Sequence, residues 1–170
     1  MARIDYTDDY RDPRKGIRNI LYLDKQTASS SSEPSFDVIT NDLQVYIPFL
    51  EKSTLVFNLT FSNAYVQKEG ETDLEVLIQE SPTLELAINT MNFNKHGTSL
   101  FLGGPDRLRS YPQQRFQGAH TLYFATEFRW NFSASDGDKI DLFFMQDLID
   151  EMQVALFFEQ GSVSETKSEL

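Results

Sequence analysis

The chain of 170 residues contains no cysteine, and its only two histidines, His96 and His120, lie far apart. The first absence excludes a disulfide framework and a cysteine-rich metal site. The second leaves no histidine-based ligand set, so no metal and no cofactor is expected. Positive charge is also scarce. Fifteen Lys and Arg stand against 26 Asp and Glu, for a net charge of −11, which argues against nucleic acid as the main partner, because phosphate binding needs a basic surface. No apolar run reaches the roughly 18 residues of a transmembrane helix, and no basic-then-apolar stretch of signal-peptide type opens the sequence. No serine sits in a nucleophile elbow and no glycine-rich phosphate loop precedes a helix. No catalytic constellation is present, and the chain is expected not to be an enzyme. Asp5, Asp8, Asp9 and Asp12 cluster, but without the spacing of a calcium loop. They read as rim charges.

What the chain does have is aromatic residues, 13 % in a sequence of polar mean hydropathy, and alternation. In 16–26, Ile17, Leu21 and Leu23 oppose Arg18, Tyr22 and Asp24. In 36–49, Ile39, Leu43, Val45 and Ile47 oppose Thr40, Asp42 and Gln44. In 54–66, Leu55, Phe57, Leu59, Phe61 and Tyr65 oppose Asn58, Thr60, Ser62 and Ala64. In 121–132, Leu122, Phe124, Phe128, Trp130 and Phe132 oppose Thr121, Tyr123, Ala125, Glu127, Arg129 and Asn131. In 152–163, Met152, Val154, Leu156 and Phe158 oppose Gln153, Ala155, Phe157, Glu159 and Gly161. A period of two predicts half-buried strands. They are long for globular strands, whose common length is about five or six, and close to the roughly 9–11 residues of a tilted membrane-spanning strand. Full charges on the polar faces suit bulk water or a wet lumen and not a dry core. A soluble antiparallel β-protein and a membrane barrel both fit this pattern.

The connectors are unequal. The segment 12–16 (DPRKG) is a proline–glycine turn, 49–53 is another short turn, and 27–35 is a serine-rich loop. The segment 67–104 contains an apolar stretch, 74–89, interrupted by Pro82, and fits either a further strand or a loop helix. The segment 133–151 reads as a turn or short amphipathic helix, with Leu142, Met145, Leu148, Ile149 and Met152 at helical spacing. The segment 103–116, GGPDRLRSYPQQRF, opens with Gly103 and Gly104 and carries Arg107, Arg109, Tyr111 and Arg115. A guanidinium keeps its proton, so Arg109 needs acceptors or water. Either these arginines are solvated rim charges, or the loop folds back and Arg109 meets Glu159, with Gly161 leaving room beside it and Glu127 near.

The order of these features resembles the outer-membrane protein insertase superfamily: the barrel subunit of the BAM complex (the bacterial surface antigen type), the mitochondrial sorting-and-assembly barrel and the two-partner-secretion transporters. The residues that carry the likeness are DPRKG (12–16), LFLGGPDRLRSY (100–111) with Leu108-Arg109-Ser110-Tyr111 in the place of an aliphatic-Arg-Gly-aromatic motif, GAHTLYFATEFRW (118–130), and LFFEQGSV (156–163) in the place of a Phe-x-Asp-x-Gly strand. The likeness implies an all-β, antiparallel transmembrane β-barrel, present in part. About 5–7 strands of a larger barrel would lie within residues 1–170, with 103–118 folded into the lumen as a loop. It implies a contact site of Gly103, Gly104, Arg109 and Tyr111 with Glu127, Glu159 and Gly161. It also implies a Gram-negative outer-membrane location, and insertion, assembly or translocation of outer-membrane proteins. The implied partners are outer-membrane lipid, the remaining strands of the barrel, client proteins and periplasmic accessory proteins. Two departures stand out. Ser110 replaces a glycine, which would make a left-handed backbone there costly, and Glu159 replaces an aspartate. The barrel of a patatin-like lipase or two-partner-secretion relative, and a soluble all-β binding module, are the alternative expectations.

Overall fold

A computed structural model describes residues 1–131, 140–142, 145–149 and 153–166. Its frame is one six-stranded antiparallel sheet. Strands β1 (Ala2–Thr7), β2 (Gly16–Gln26), β3 (Ser35–Pro48), β4 (Ser53–Lys68), β5 (His120–Asn131) and β8 (Gln153–Ser164) lie side by side in that order. Each pairs with its sequence neighbour, except that β5 reaches β8 across a separate two-stranded ladder of β6 (Ile140–Leu142) and β7 (Met145–Ile149). The five alternating segments coincide with β2, β3, β4, β5 and β8 to within one or two residues. β1 adds a sixth strand, too short to stand out beside the aspartate cluster. Among the described residues neither edge strand, β1 or β8, has a further neighbour, so the sheet is open.

The structure takes the helical one of the two readings of 67–104, and departs from the helical reading of 133–151. The stretch around Pro82 forms two helices, α1 (Leu74–Glu80) and α2 (Leu84–His96). Asp73 caps the first by accepting from the Glu75 amide, and Thr83 caps the second by accepting from the Leu86 amide. Pro82 sits between them because it cannot continue α1 and its fixed backbone suits the approach to α2. The helix expected within 133–151 is corrected in its described parts: 140–142 and 145–149 are strands. The rest of that expectation, 133–139, 143–144 and 150–151, lies outside the described residues. A short apolar run with Ile and Phe satisfies helical spacing and strand propensity together, so periodicity could not separate them.

The two faces of the sheet differ in cover. The register places Ile17, Leu21 and Leu23 of β2 on the same face of the sheet as Ile39, Leu43 and Val45 of β3, Leu55, Phe57 and Leu59 of β4 and Phe124 and Phe128 of β5, with rows such as Leu43–Leu59–Phe124 and Ile47–Leu55–Phe128 running across it. This face is open: Leu156 is 67 % exposed, Phe158 57 % and Trp130 46 %. It carries no Asp, Glu, Lys or Arg from Ile17 to Leu23, Ile39 to Ile47, Leu55 to Tyr65, Leu122 to Trp130 or Val154 to Ser162. The opposite face, with Thr40, Asp42, Thr60, Ser62, Thr121 and Tyr123, is the buried one. Segment 98–118 covers it. The Thr40 and Ser62 hydroxyls lie 2.6 Å apart, Ser62 Oγ accepts from the Leu100 amide, and Thr121 Oγ1 donates to the Leu100 carbonyl at 2.7 Å. Buried hydroxyls without such partners would each cost about 1–3 kcal/mol, so the covering loop is chemically matched to the face beneath it.

One hairpin yields a direct test. Lys52 is an exposed turn residue with φ of 60°, tied by its carbonyl to the Asn131 amide at 2.9 Å. A left-handed backbone costs an L-residue with a Cβ roughly 1 kcal/mol that glycine avoids. Lys52→Gly is therefore expected to raise stability by about 0.5–1 kcal/mol, read as a higher urea midpoint at unchanged m-value.

Candidate functional site: an arginine loop seated on the charged face

The loop is shaped before it meets the sheet. Leu102 and Phe116 exchange backbone hydrogen bonds at 2.9 and 3.0 Å, closing its neck. Just inside, Gly103 and Gly104 have φ of 102° and 116°. Their amides donate to the carbonyls of Arg107 and Tyr111, curling the chain back on itself. These angles are open to glycine and strained for other residues. The left-handed residue of the arginine motif is Leu108, φ 53°, and Ser110 is not among the positive-φ residues. The strain expected at Ser110 therefore falls two positions earlier. Leu108 tolerates it because its side chain is buried with Leu102, Tyr123 and Ala125.

Seating Leu108 delivers Arg109 to β8. The Arg109 amide donates to Glu159 Oε2 at 2.8 Å, and its Nε donates to Oε1 at 2.9 Å. The Tyr123 hydroxyl donates to the same Oε1 at 2.9 Å. Glu159, only 6 % exposed at its side chain, thus accepts three hydrogen bonds, while Arg109 keeps 35 % of its own exposed. The guanidinium also lies 3.6 Å from Glu127 Oε2 and 3.7 Å above the Phe157 ring. Glu127 is held in turn by Arg129 Nε at 2.7 Å. The charge on Arg109 is therefore shared by two carboxylates and an aromatic face. The longer Glu159 reaches the backbone and the side chain of Arg109 together. Gly161, two residues on, sits under the loop: a Cβ there would lie 2.5 Å from Leu102 Cδ1 and 3.3 Å from Leu108 Cδ1.

Tyr111 stands apart from this cluster. Its ring packs edge-on against Phe116 at 5.0 Å and stays half exposed. Arg115 is exposed. Arg107 makes a second anchor that the sequence patterns did not single out. It donates to Asp42 Oδ2 at 3.1 Å on β3, two strands from β5. Asp42 was legible as a charge on the polar face, but alternation names no partner. The Tyr123 hydroxyl and the Phe157 ring were missed for the same reason. The loop thus straps β3 to β8 across β4 and β5. Beneath it a polar cavity of about 290 Å³ is lined by Gln44, Asn58, Arg109, Tyr123, Glu127 and Arg129, among others.

The remaining candidates are structural. Asp8 Oδ1 accepts the amides of Lys15, Arg14 and Asp9, and Asp9 Oδ1 those of Asp12 and Arg11. The Lys15 and Arg14 amides hold the Asp8 carboxyl below its usual range, and the Asp12 and Arg11 amides do the same for Asp9. These aspartates shape the β1–β2 turn. His120 faces Asn63 Oδ1 at 2.9 Å. Among the described residues there is no cluster able to hold a metal ion, and no helix long and apolar enough to cross a membrane. In comparisons with known proteins, no family model, no curated protein and no solved structure matches this chain.

Proposed function

We propose that this chain is part of a transmembrane β-barrel of the outer membrane, acting in the insertion, assembly or translocation of outer-membrane proteins. The observation that carries the reading is the inverted sheet. Its open face is apolar and free of charge between the strand ends, and its charged face lies under a loop clamped by Arg109 and Glu159. Water favours the opposite arrangement, because an apolar face of this size would be buried at about 25 cal/mol per Å². Lipid on one side and a wet interior on the other favour this one. The open edges fit the same reading, since a sheet edge is untenable in hydrocarbon and demands further strands to close the cylinder. The work is mechanical: the strap sets the spacing of β3, β5 and β8, and the barrel wall handles client strands. The assignment to insertion rests on the ordered motif likeness and on the Arg109–Glu159 clamp that this likeness implies. The test is Arg109→Ala in the full-length gene product, with the yield of assembled outer-membrane proteins as readout. A severalfold fall at normal barrel abundance is expected; normal assembly with the clamp removed would overturn the role. A chain that refolds as a monomer in plain buffer, without detergent, would instead identify a soluble module.

A further inference from the structure

Beyond the barrel reading and independent of it, we infer that one end of the sheet carries a binding site for a single neutral sugar ring. The site is a cavity of about 240 Å³ between α2 and the chain leading into β5. Strands β4 and β8 end there and β5 begins there. It shares no residue with the Arg109–Glu159 clamp. Helix α2 contributes Leu86, Asn89, Thr90 and Phe93 to the lining, a spacing of three and four that puts all four on one helical face. Its other faces hold the helix in place. Ala87 is fully buried, and Asn94 Nδ2 donates to the Glu71 carbonyl at 2.7 Å. Phe93 packs edge-on against Phe36 at 5.7 Å, which fixes its ring while 37 % of the residue stays exposed. Gly97, Thr98, Gln117 and Gly118 supply the facing wall, and Glu165, just after β8, completes the lining. The two glycines let this wall lie close to the sheet. A Cβ on Gly97 would meet Phe36 Cγ at 2.9 Å, and one on Gly118 would meet the Ser164 carbonyl oxygen at 2.9 Å.

The chemistry of the lining selects the ligand. Asn89, Asn92 and Gln117 bring neutral amides, and Thr90 and Thr98 bring hydroxyls; each of these side chains both donates and accepts. A sugar hydroxyl is likewise donor and acceptor at once, so the two sets match. The Phe93 ring and the Leu86 side chain suit the C–H faces of a pyranose, which are apolar. Charge turns other ligands away. Among the described residues no Lys or Arg lines the cavity, so a phosphate or carboxylate finds no counter-charge and meets Glu165 instead. Thr98 is an independent sign. Its Oγ1 is buried without a hydrogen-bond partner, one of two such side-chain atoms among the described residues. Buried hydroxyls in native proteins are normally paired, and a ligand hydroxyl is the partner this wall lacks. The volume sets the extent of recognition. It lies below the roughly 300–1,000 Å³ of drug-sized sites, so one ring enters and the remainder of a glycan stays outside.

The test is saturation-transfer NMR on the full-length gene product, held in a detergent without a sugar headgroup. The probes are the methyl glycosides of glucose, galactose and N-acetylglucosamine, with choline as a cationic comparison. Transfer to one or more of the glycosides at millimolar concentration is expected. It should fall severalfold in Asn89→Ala/Gln117→Ala, a change at two exposed positions. Thr98→Val is the sharper variant. It removes an unpaired buried hydroxyl and keeps the shape of the side chain, so the urea midpoint is expected to rise while transfer to the glycoside falls. Transfer unchanged in both variants, transfer to choline alone, or transfer to no probe overturns the sugar site. A glycolipid headgroup and a soluble glycan present the same ring. Competition by the octyl glycoside at a severalfold lower concentration than the methyl glycoside assigns the glycolipid, equal competition assigns the soluble glycan, and either supports the site. The barrel reading stands or falls separately from all of these outcomes.

Discussion

Replacing Glu159 with alanine is expected to be among the most damaging single changes in this protein, lowering the urea midpoint by roughly 1–2 M at unchanged m-value. The carboxylate accepts from the Arg109 amide, from Arg109 Nε and from the Tyr123 hydroxyl. Its loss leaves a guanidinium beside Phe157 with only Glu127, at 3.6 Å, to answer it. Removing one partner of a buried ion pair costs about 3–5 kcal/mol. Arg109 is about one-third exposed, and solvent screening lowers the figure, so about 2–4 kcal/mol is expected, which at an m-value of about 2 kcal/mol/M gives the stated shift. Glu159→Gln keeps two of the acceptor contacts and loses the charge, so a smaller loss is expected. The decisive comparison is the double variant. If Arg109 and Glu159 act on each other, Arg109→Ala/Glu159→Ala loses no more than either alone; strictly additive losses would show that the contact carries little energy.

The second large effect is expected at Gly161. A methyl group there meets Leu102 Cδ1 at 2.5 Å. A leucine methyl can often move aside, but Leu102 is only 1 % exposed and is packed with Leu108, Tyr123 and Ala125. Gly161→Ala is expected to cost about 1 kcal/mol, and Gly161→Val about 2–3 kcal/mol, by overpacking. Because the clash lies between loop and strand, the loop yields first. Trypsin should therefore cleave after Arg107 or Arg109 severalfold faster in Gly161→Val, under conditions where the β-sheet circular dichroism is unchanged. If stability falls and cleavage does not rise, the strain has been absorbed within β8 and the strap is not the seat of the effect.

The two expectations show what could be read in the residues alone. Gly161 and Glu159 stood out as a small residue two positions from an acid on a polar strand face, and Arg109 as a cation in a glycine-hinged loop. Their complementarity of charge was legible. The rest of the site was not. Tyr123 alternates like any half-buried aromatic, and its hydroxyl acquires a role only because the register sets it opposite Gly161, next to Glu159. Asp42 and Arg107 are 65 positions apart and meet because two strand pairings, β3 with β4 and β4 with β5, bring the loop before β5 over β3. Leu108 carries the left-handed backbone because its side chain has a buried place to go. A local rule that assigns this angle to small residues points to Ser110 instead.

By itself the sequence determined β2 to β5 and β8 and the sorting of their faces, because a period of two is local geometry: each residue's side is set by its neighbours two positions away. It determined equally that one face bears no charge and the other does. Only the tertiary structure decided which face is covered. Alternation is symmetric between inside and outside, and the answer depends on whether a distant segment carries groups that match a polar surface. Residues 98–118 carry them, in the form of backbone amides and carbonyls for Ser62 and Thr121 and guanidinium groups for Asp42 and Glu159. The charged side therefore lies beneath the loop, and the apolar side is left open.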